Sequence, residues 1–379
     1  MNLPNFVTFP TVHWGHNWER QHELIFRTSE WFERAFVHQP YGLINYGIND
    51  LLHKIQEYSA NKRKSAPAIL TNPVGRNFEF VNHFYLPFHY KKAIDRLNYK
   101  ILSKKAAPAE ESVVYAGYCN AFILHYFRKG GFRWLDLFAR RQVSDQLSSK
   151  AKEVERKAVE SADLITADSL TTIEDYAYIR PDIMYLPQGV DVGRFYPTTG
   201  LEDIAQRAAH YRGVVGYMGT DLVVDVPLME GIVETCTDLL FVLIGDFRQE
   251  GLGRLKKHSN VYFTGRIGYF ELNKALNSTD VGLIPYLIND RTSGVFPTKY
   301  YEYLACNKPV VTTPLPDLTD KVSGHVAVAE GVQGFVEAIY ELLEKNYESH
   351  APLLEAVENT WTKRLEIIKG ELARKNILS

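Results

Sequence analysis

Lys299 and Glu302 stand three residues apart, a spacing that places both on one face of a helix while Tyr300, Tyr303 and Leu304 turn toward a sheet. The helix is expected to begin near Pro297, a residue suited to a first turn, after a loop containing Thr292, Ser293 and Gly294. Free N–H groups and the positive end of the helix dipole at that start suit a diphosphate. Ser293 and Thr298 would add hydroxyl donors, Gly294 would permit close approach, and Lys299 would add a compact positive charge. Glu302, one turn further, would be repelled by phosphate but can accept hydrogen bonds from the vicinal hydroxyls of a ribose. The plainer alternative is a solvated Lys299–Glu302 pair.

The elements around this segment alternate as βα units. Gly213–Met218, Leu239–Ile244, Val261–Phe263, Val281–Ile284, Pro309–Thr312 and Val326–Val328 are short β-branched or apolar runs, with helices expected near 227–237, 268–277, 297–306 and 331–345. That is the pattern of a parallel sheet covered on both faces. The first half follows the same rhythm less cleanly, with strands expected at Phe6–Phe9, Ala35–His38, Ile69–Thr71, Val113–Ala116, Trp134–Leu135 and Leu164–Thr166. Pro187 and Gly189 interrupt the pattern in Leu186–Asp191. The expected organisation is α/β, with a Rossmann-like domain over 1–186, a second over 187–353, and a helical stretch over 354–379 that returns to the first. Ligands would lie at the carboxyl ends of the strands.

Pro297-Thr298-Lys299-Tyr300-Tyr301-Glu302-Tyr303-Leu304-Ala305-Cys306-Asn307-Lys308-Pro309-Val310-Val311 resembles the signature segment of bacterial GT-B glycosyltransferases. Leu186–Asp191 with Phe195 and Pro197, Gly216–Thr220, and Thr264-Gly265-Arg266-Ile267 resemble the same family in the same order, so that the likeness covers most of 160–365. It is nearest to teichuronic-acid and xanthan-type enzymes of cell-surface polysaccharides. The resemblance implies two Rossmann-like domains facing across a cleft and a nucleotide-sugar donor, UDP-linked. By the same resemblance Gly219 and Thr220 approach the diphosphate or sugar, the backbone at Arg266 and Ile267 reads the base, and Glu302 holds the ribose. The widespread retaining pattern has a second glutamate eight residues before the ribose-binding one, where this chain has Gly294, which leaves donor sugar and stereochemistry open. Such enzymes need no bound metal, since a helix terminus and basic side chains take its place, and the chain carries neither Asp-x-Asp nor a His/Cys/Asp cluster at ligand spacing.

On the acceptor side, Asp136 ends a strand-like run where the family carries Asp-x-x-Asp, with Ala139 at the second position. A carboxylate there could take the acceptor hydroxyl's proton, and Asp136 ranks before His16 as the catalytic base. His13, Trp14, Asn17 and Trp18 follow the first strand and suit a saccharide acceptor, rings stacking on the sugar and polar groups bonding its hydroxyls. A packed loop with structural histidines is the alternative.

Composition bounds the rest. With 379 residues, 45% of them hydrophobic, the chain can fill two cores, and a net charge of −2 argues against nucleic acid. Three scattered cysteines, Cys119, Cys236 and Cys306, fit a reducing compartment, and no run approaches the ~20 apolar residues of a spanning helix, so a cytoplasmic protein is expected. Residues 89–105 interleave Lys91, Lys92, Arg96, Lys100, Lys104 and Lys105 with Tyr90, Ile94, Leu97, Ile101 and Leu102. That basic amphipathic pattern suits peripheral contact with anionic lipid at the inner face of the membrane and a lipid-linked acceptor, or else a core-packed helix with a solvated basic face. The rival readings are a non-catalytic GT-B subunit that binds a glycan or partner, and a nucleotide-sugar epimerase.

Overall fold

The computed structural model describes residues 3–11, 14, 18–38, 78–81, 85–86, 91–138, 140, 147–269, 271–345, 347 and 350–378. They form two compact units: one of residues 1–167, 172–186 and 365–379, the other of 168–171 and 187–364.

The first unit holds a parallel sheet of β1 (Asn5–Phe9), β2 (Arg34–His38), β3 (Phe78–Val81), β4 (Ser112–Ala116), β5 (Phe132–Leu137), β6 (Leu164–Ala167) and β7 (Met184–Tyr185), in the order β3-β2-β1-β4-β5-β6-β7. The order reverses between β1 and β4, the place where such sheets receive ligands. All five residues of β1 and of β4 are buried, as strands covered on both faces must be. The helices are α1 (Arg20–Thr28), α2 (Lys92–Ser103), α3 (Ala121–Phe127), α4 (Ser149–Ser161) and α5 (Leu170–Tyr176). The strand expected at Ile69–Thr71 and Tyr90 of the basic segment lie outside the described residues.

The second unit holds β8 (Gly213–Met218), β9 (Leu239–Ile244), β10 (Val261–Gly265), β11 (Val281–Ile284), β12 (Val310–Thr312) and β13 (Val326–Val328), all parallel, in the order β10-β9-β8-β11-β12-β13. Its switch point lies between β8 and β11. The helices are α6 (Glu202–Ala208), α7 (Val226–Thr235), α8 (Leu272–Asn277), α9 (Thr298–Ala305), α10 (Gly331–Leu343) and α11 (Ala351–Glu358). Four of the six strands match the sequence expectation to the residue, because continuous apolar runs such as Leu-Leu-Phe-Val-Leu-Ile are legible when both faces are covered. The helix expected from 268 begins at Leu272, since the Glu271 and Leu272 amides first bond back to the Gly268 carbonyl in a turn. The helical stretch expected from 354 is two helices, α11 and then α12 (Trp361–Arg374), parted at Asn359-Thr360, where the Val190 amide donates to Asn359 O and the Trp361 amide donates to Val190 O.

Candidate functional site

At the carboxyl ends of β8, β9 and β10 the chain passes each time into a glycine with positive φ: Gly219 (+149°), Gly245 (+145°) and Gly265 (+70°). They are joined in a row. The Gly219 amide donates to Ile244 O at 3.0 Å and the Gly245 amide to Gly265 O at 3.1 Å. A Cβ on Gly245 would lie 2.2 Å from Gly219 O, so the absence of a side chain is what lets the two turns meet. The result is a ledge of bare backbone across three strand ends, the kind of surface on which an extended phosphate-bearing ligand can lie close to amide groups.

The start of α9 stands beside this ledge. Pro297 is its N-cap and Thr298 its first residue, one position later than expected. Amides of a first helical turn have no intrahelical acceptor, which gives this end its positive character. Thr298 is half-buried, and Ser293, in the preceding turn, donates its hydroxyl to Asp290 O at 3.0 Å. Gly294 is buried.

Lys299 and Glu302 are 6% and 8% exposed, which excludes the solvated pair. The expectation that the ammonium faces a ligand is corrected too. Lys299 Nζ turns inward, donates to Met218 O, and lies 4.5 Å from the Tyr217 ring centroid and 5.0 Å from that of Tyr286. Burial pushes its pKa down to about 7, against the support of Glu302. Tyr300, Tyr303 and Leu304 are wholly buried as expected, with Tyr303 OH donating to Gly216 O at 3.0 Å.

Beyond β10, Arg266 is exposed and Ile267 half-buried, and Ile267 borders a cavity of about 810 Å³ whose other walls include Asp191, Arg194, Tyr196, Asn273 and Lys274. Thr220 is exposed on the loop after Gly219 and its carbonyl accepts from Tyr217 OH at 2.8 Å. Among the described residues one group, Glu230, Glu234 and His258, gathers three potential metal-ligand atoms, which the sequence spacing did not disclose. Arg254 at 2.5 Å and Lys257 at 2.9 Å already occupy the two Glu230 oxygens.

In the first unit the structure overturns the assignment of Asp136 as the base. The carboxylate is fully buried and saturated: Arg20 Nε and Nη2 donate to it at 3.1 and 2.9 Å, Tyr115 OH at 3.0 Å and Thr166 Oγ1 at 2.6 Å. Every lone-pair direction is spent on holding α1, β4, β5 and β6 together, and nothing remains to receive an acceptor's proton. Trp14 is corrected as well. It is 5% exposed, edge-on to Trp18, His22 and Phe80, and so offers no open ring face to a sugar. Trp18 is half-buried, stacked on His22 and donating from Nε1 to Glu23 at 2.6 Å. His13, His16 and Asn17 lie outside the described residues.

Sequence reasoning gave no role to Gly245, Tyr217 or Tyr286. The signal for Gly245 was present: Met218-Gly219, Ile244-Gly245 and Thr264-Gly265 repeat one pattern, a strand run ended by glycine. The tyrosines carried no such signal, because a ring under a buried ammonium looks like any other core aromatic.

Residues 220–345 match the family described as glycosyl transferases group 1. The chain is 26% identical over 220 residues to the proposed teichuronic acid biosynthesis glycosyltransferase TuaH of Bacillus subtilis, covering 52% of this chain and 55% of that one. It is 27% identical over 206 residues to a GDP-mannose-dependent monoacylated alpha-(1-6)-phosphatidylinositol monomannoside mannosyltransferase of Corynebacterium glutamicum, covering 47% and 53%. The alignments thus span about half the length of these curated relatives. Among solved structures, Anabaena Alr3699/HepE in complex with UDP and glucose superposes with a TM-score of 0.67 at 14% identity, covering 98% of this chain and 99% of that one. Two parallel sheets and this likeness show that the chain has the GT-B fold, and residues 220–345 match the group 1 glycosyl transferase family.

Proposed function

We propose that the chain transfers a sugar from a UDP-linked donor to a saccharide or lipid-linked saccharide in the synthesis of a bacterial surface polysaccharide. The observation that carries this reading is the row of glycine turns Gly219, Gly245 and Gly265 beside the start of α9, with Glu302 one turn along the helix. The helix start would take the diphosphate, laid close against the side-chain-free glycine turns, the segment at Arg266 and Ile267 would take the base, and Glu302 the ribose. A UDP complex in a solved structure of the same fold supports UDP, whereas a relative named for GDP-mannose makes GDP the rival nucleotide. The reading includes no metal, the helix start supplying what a cation would, so chelation should leave the rate unchanged.

The test is thermal denaturation with UDP, GDP and dTDP, followed by release of UDP from a panel of UDP-sugars. Stabilisation by UDP above that by GDP and dTDP is expected through mass action; equal indifference to all three would sink the proposal.

The placement at the inner face of the membrane rests on α2. Lys92, Arg96 and Lys100 are exposed along it and Lys104 at its C-terminal cap, with Leu97 47% exposed between them. Arg128 and Lys129 extend the charge from the end of α3, where burial and then Lys129 and Arg128 hold His125 below its ordinary pKa. Such a surface suits anionic headgroups.

A second reading, a binding subunit without turnover, is favoured by the burial of Asp136 and by Gly294 in place of a glutamate. Tight UDP binding with no UDP release from any donor would establish it over transfer.

A further inference from the structure

Lys299 occupies the second position of α9, yet its ammonium ends beneath the loop that follows β8. It donates to the Met218 carbonyl, the last of the strand, and the rings of Tyr217 and Tyr286 flank it at 4.5 and 5.0 Å. A Cβ on Gly219 would come within 2.7 Å of Nζ, so Gly219 is the residue that makes room for the ammonium. Tyr217 then carries the linkage outward, its hydroxyl donating to the Thr220 carbonyl at 2.8 Å. One cation is thereby bound to the end of β8, to the underside of the ledge and, through its own backbone, to the first turn of α9.

Resting on the donor-site reading above, we propose that Lys299 is a positioning residue: it pins the Gly219–Thr220 turn to the start of α9 and so sets the spacing between that turn and the helix amides that receive the diphosphate, without touching the phosphate. A buried ammonium supported by a carbonyl and two ring faces is worth more than the same groups in water, and it would have to leave them to meet a ligand. The groups that face it are Glu302 and Tyr303 on α9, Tyr217 on β8 and Tyr286 after β11; burial holds all three phenols well above their ordinary pKa, so they remain neutral, and Glu302 supports the ammonium's charge.

The experiment compares the full chain with Lys299→Met. Hydrogen exchange of the ligand-free proteins should be at least tenfold faster in the variant over 215–222 and 296–303 and unchanged elsewhere. UDP affinity should fall at least tenfold while its dependence on salt stays as in the wild type, because no phosphate charge partner has been removed. Unchanged exchange with a flattened salt dependence would mean direct contact with phosphate and overturn the proposal. Should the variant not fold, the wild type decides: protection at the same two segments, corrected for intrinsic exchange, should fall between pH 6 and 9 as the ammonium loses its proton, and constant protection there would overturn the pin. If the wild type binds none of UDP, GDP and dTDP while the exchange result holds, it is the donor reading that fails and the pin that stands.

Discussion

Arg20 and Asp136, 116 positions apart in the chain, meet as a bidentate pair at 2.9 and 3.1 Å with both side chains shut off from solvent. Arg20 also donates to Leu186 O at 2.7 Å, so the pair ties α1 and β5 to the last residue before the second unit. Removing one partner leaves the other charge buried without compensation, and Asp136→Ala should cost about 3–5 kcal/mol in chemical denaturation. Where enough folded protein survives at low temperature, Asp136→Asn should keep the wild-type shape of the pH profile for UDP release. Loss of one limb of that profile would return Asp136 to the chemistry.

The glycine ledge gives a prediction with an internal control. Gly245→Ala places a methyl group 2.2 Å from Gly219 O in a backbone conformation that alanine rarely adopts, and should cost about 1–3 kcal/mol and at least tenfold in UDP affinity. Gly370→Ala lies within α12 with nothing within 4 Å of the new Cβ, and should stabilise by about 0.5–1 kcal/mol and leave UDP binding alone. Calorimetric titration of both variants separates the two effects.

The contrast between these residues also marks what a sequence discloses. Strands β8, β9, β11 and β13 were legible because runs such as Gly213–Met218 have no polar face to confuse the pattern. The two-residue β7 was too short to show a period, and β3 lacked a continuous apolar run because Glu79 interrupts it. For the site, the residue types at 297–302 announced a helix start with a cation and an acid, but whether Lys299 points out or in depends on Tyr217, Tyr286 and a glycine eighty positions earlier. Asp136 failed for the same reason: its position at a strand end was readable, and its partners on three other elements were not.

Glu355 on α11 accepts from Tyr300 at 2.8 Å and lies 2.8 Å from His325 Nε2, clasping α11 against α9. Burial pushes its carboxyl up, but the hydrogen bonds from His325 and Tyr300 outweigh that and hold it below its ordinary value. A folded-state pKa below the unfolded one means stability present above the unfolded value of about 4.3 and lost as pH falls through the folded value. Melting temperatures from pH 3 to 7 should therefore show Glu355→Gln less stable than wild type at neutrality, the gap narrowing below about pH 4.3. A gap independent of pH would show that the clasp does not depend on the charge.

For the basic face of α2, vesicles containing phosphatidylserine should retain the protein at low salt and release it at high salt, whereas neutral vesicles should not retain it. Arg96→Glu with Lys100→Glu should weaken retention by at least tenfold, each basic residue near such a surface contributing about 1 kcal/mol. Co-sedimentation reads this directly, and equal behaviour of wild type and double variant would remove α2 as the contact.

Ile368, Leu372 and Ile377 are buried, and they belong to the first unit although they follow the whole of the second in the chain. Order of synthesis then differs from order of assembly. While a ribosome is still reading the second unit, the first has its strands but not the buried apolar residues from α12 onward that complete it. The first unit is complete only once α12 has been made.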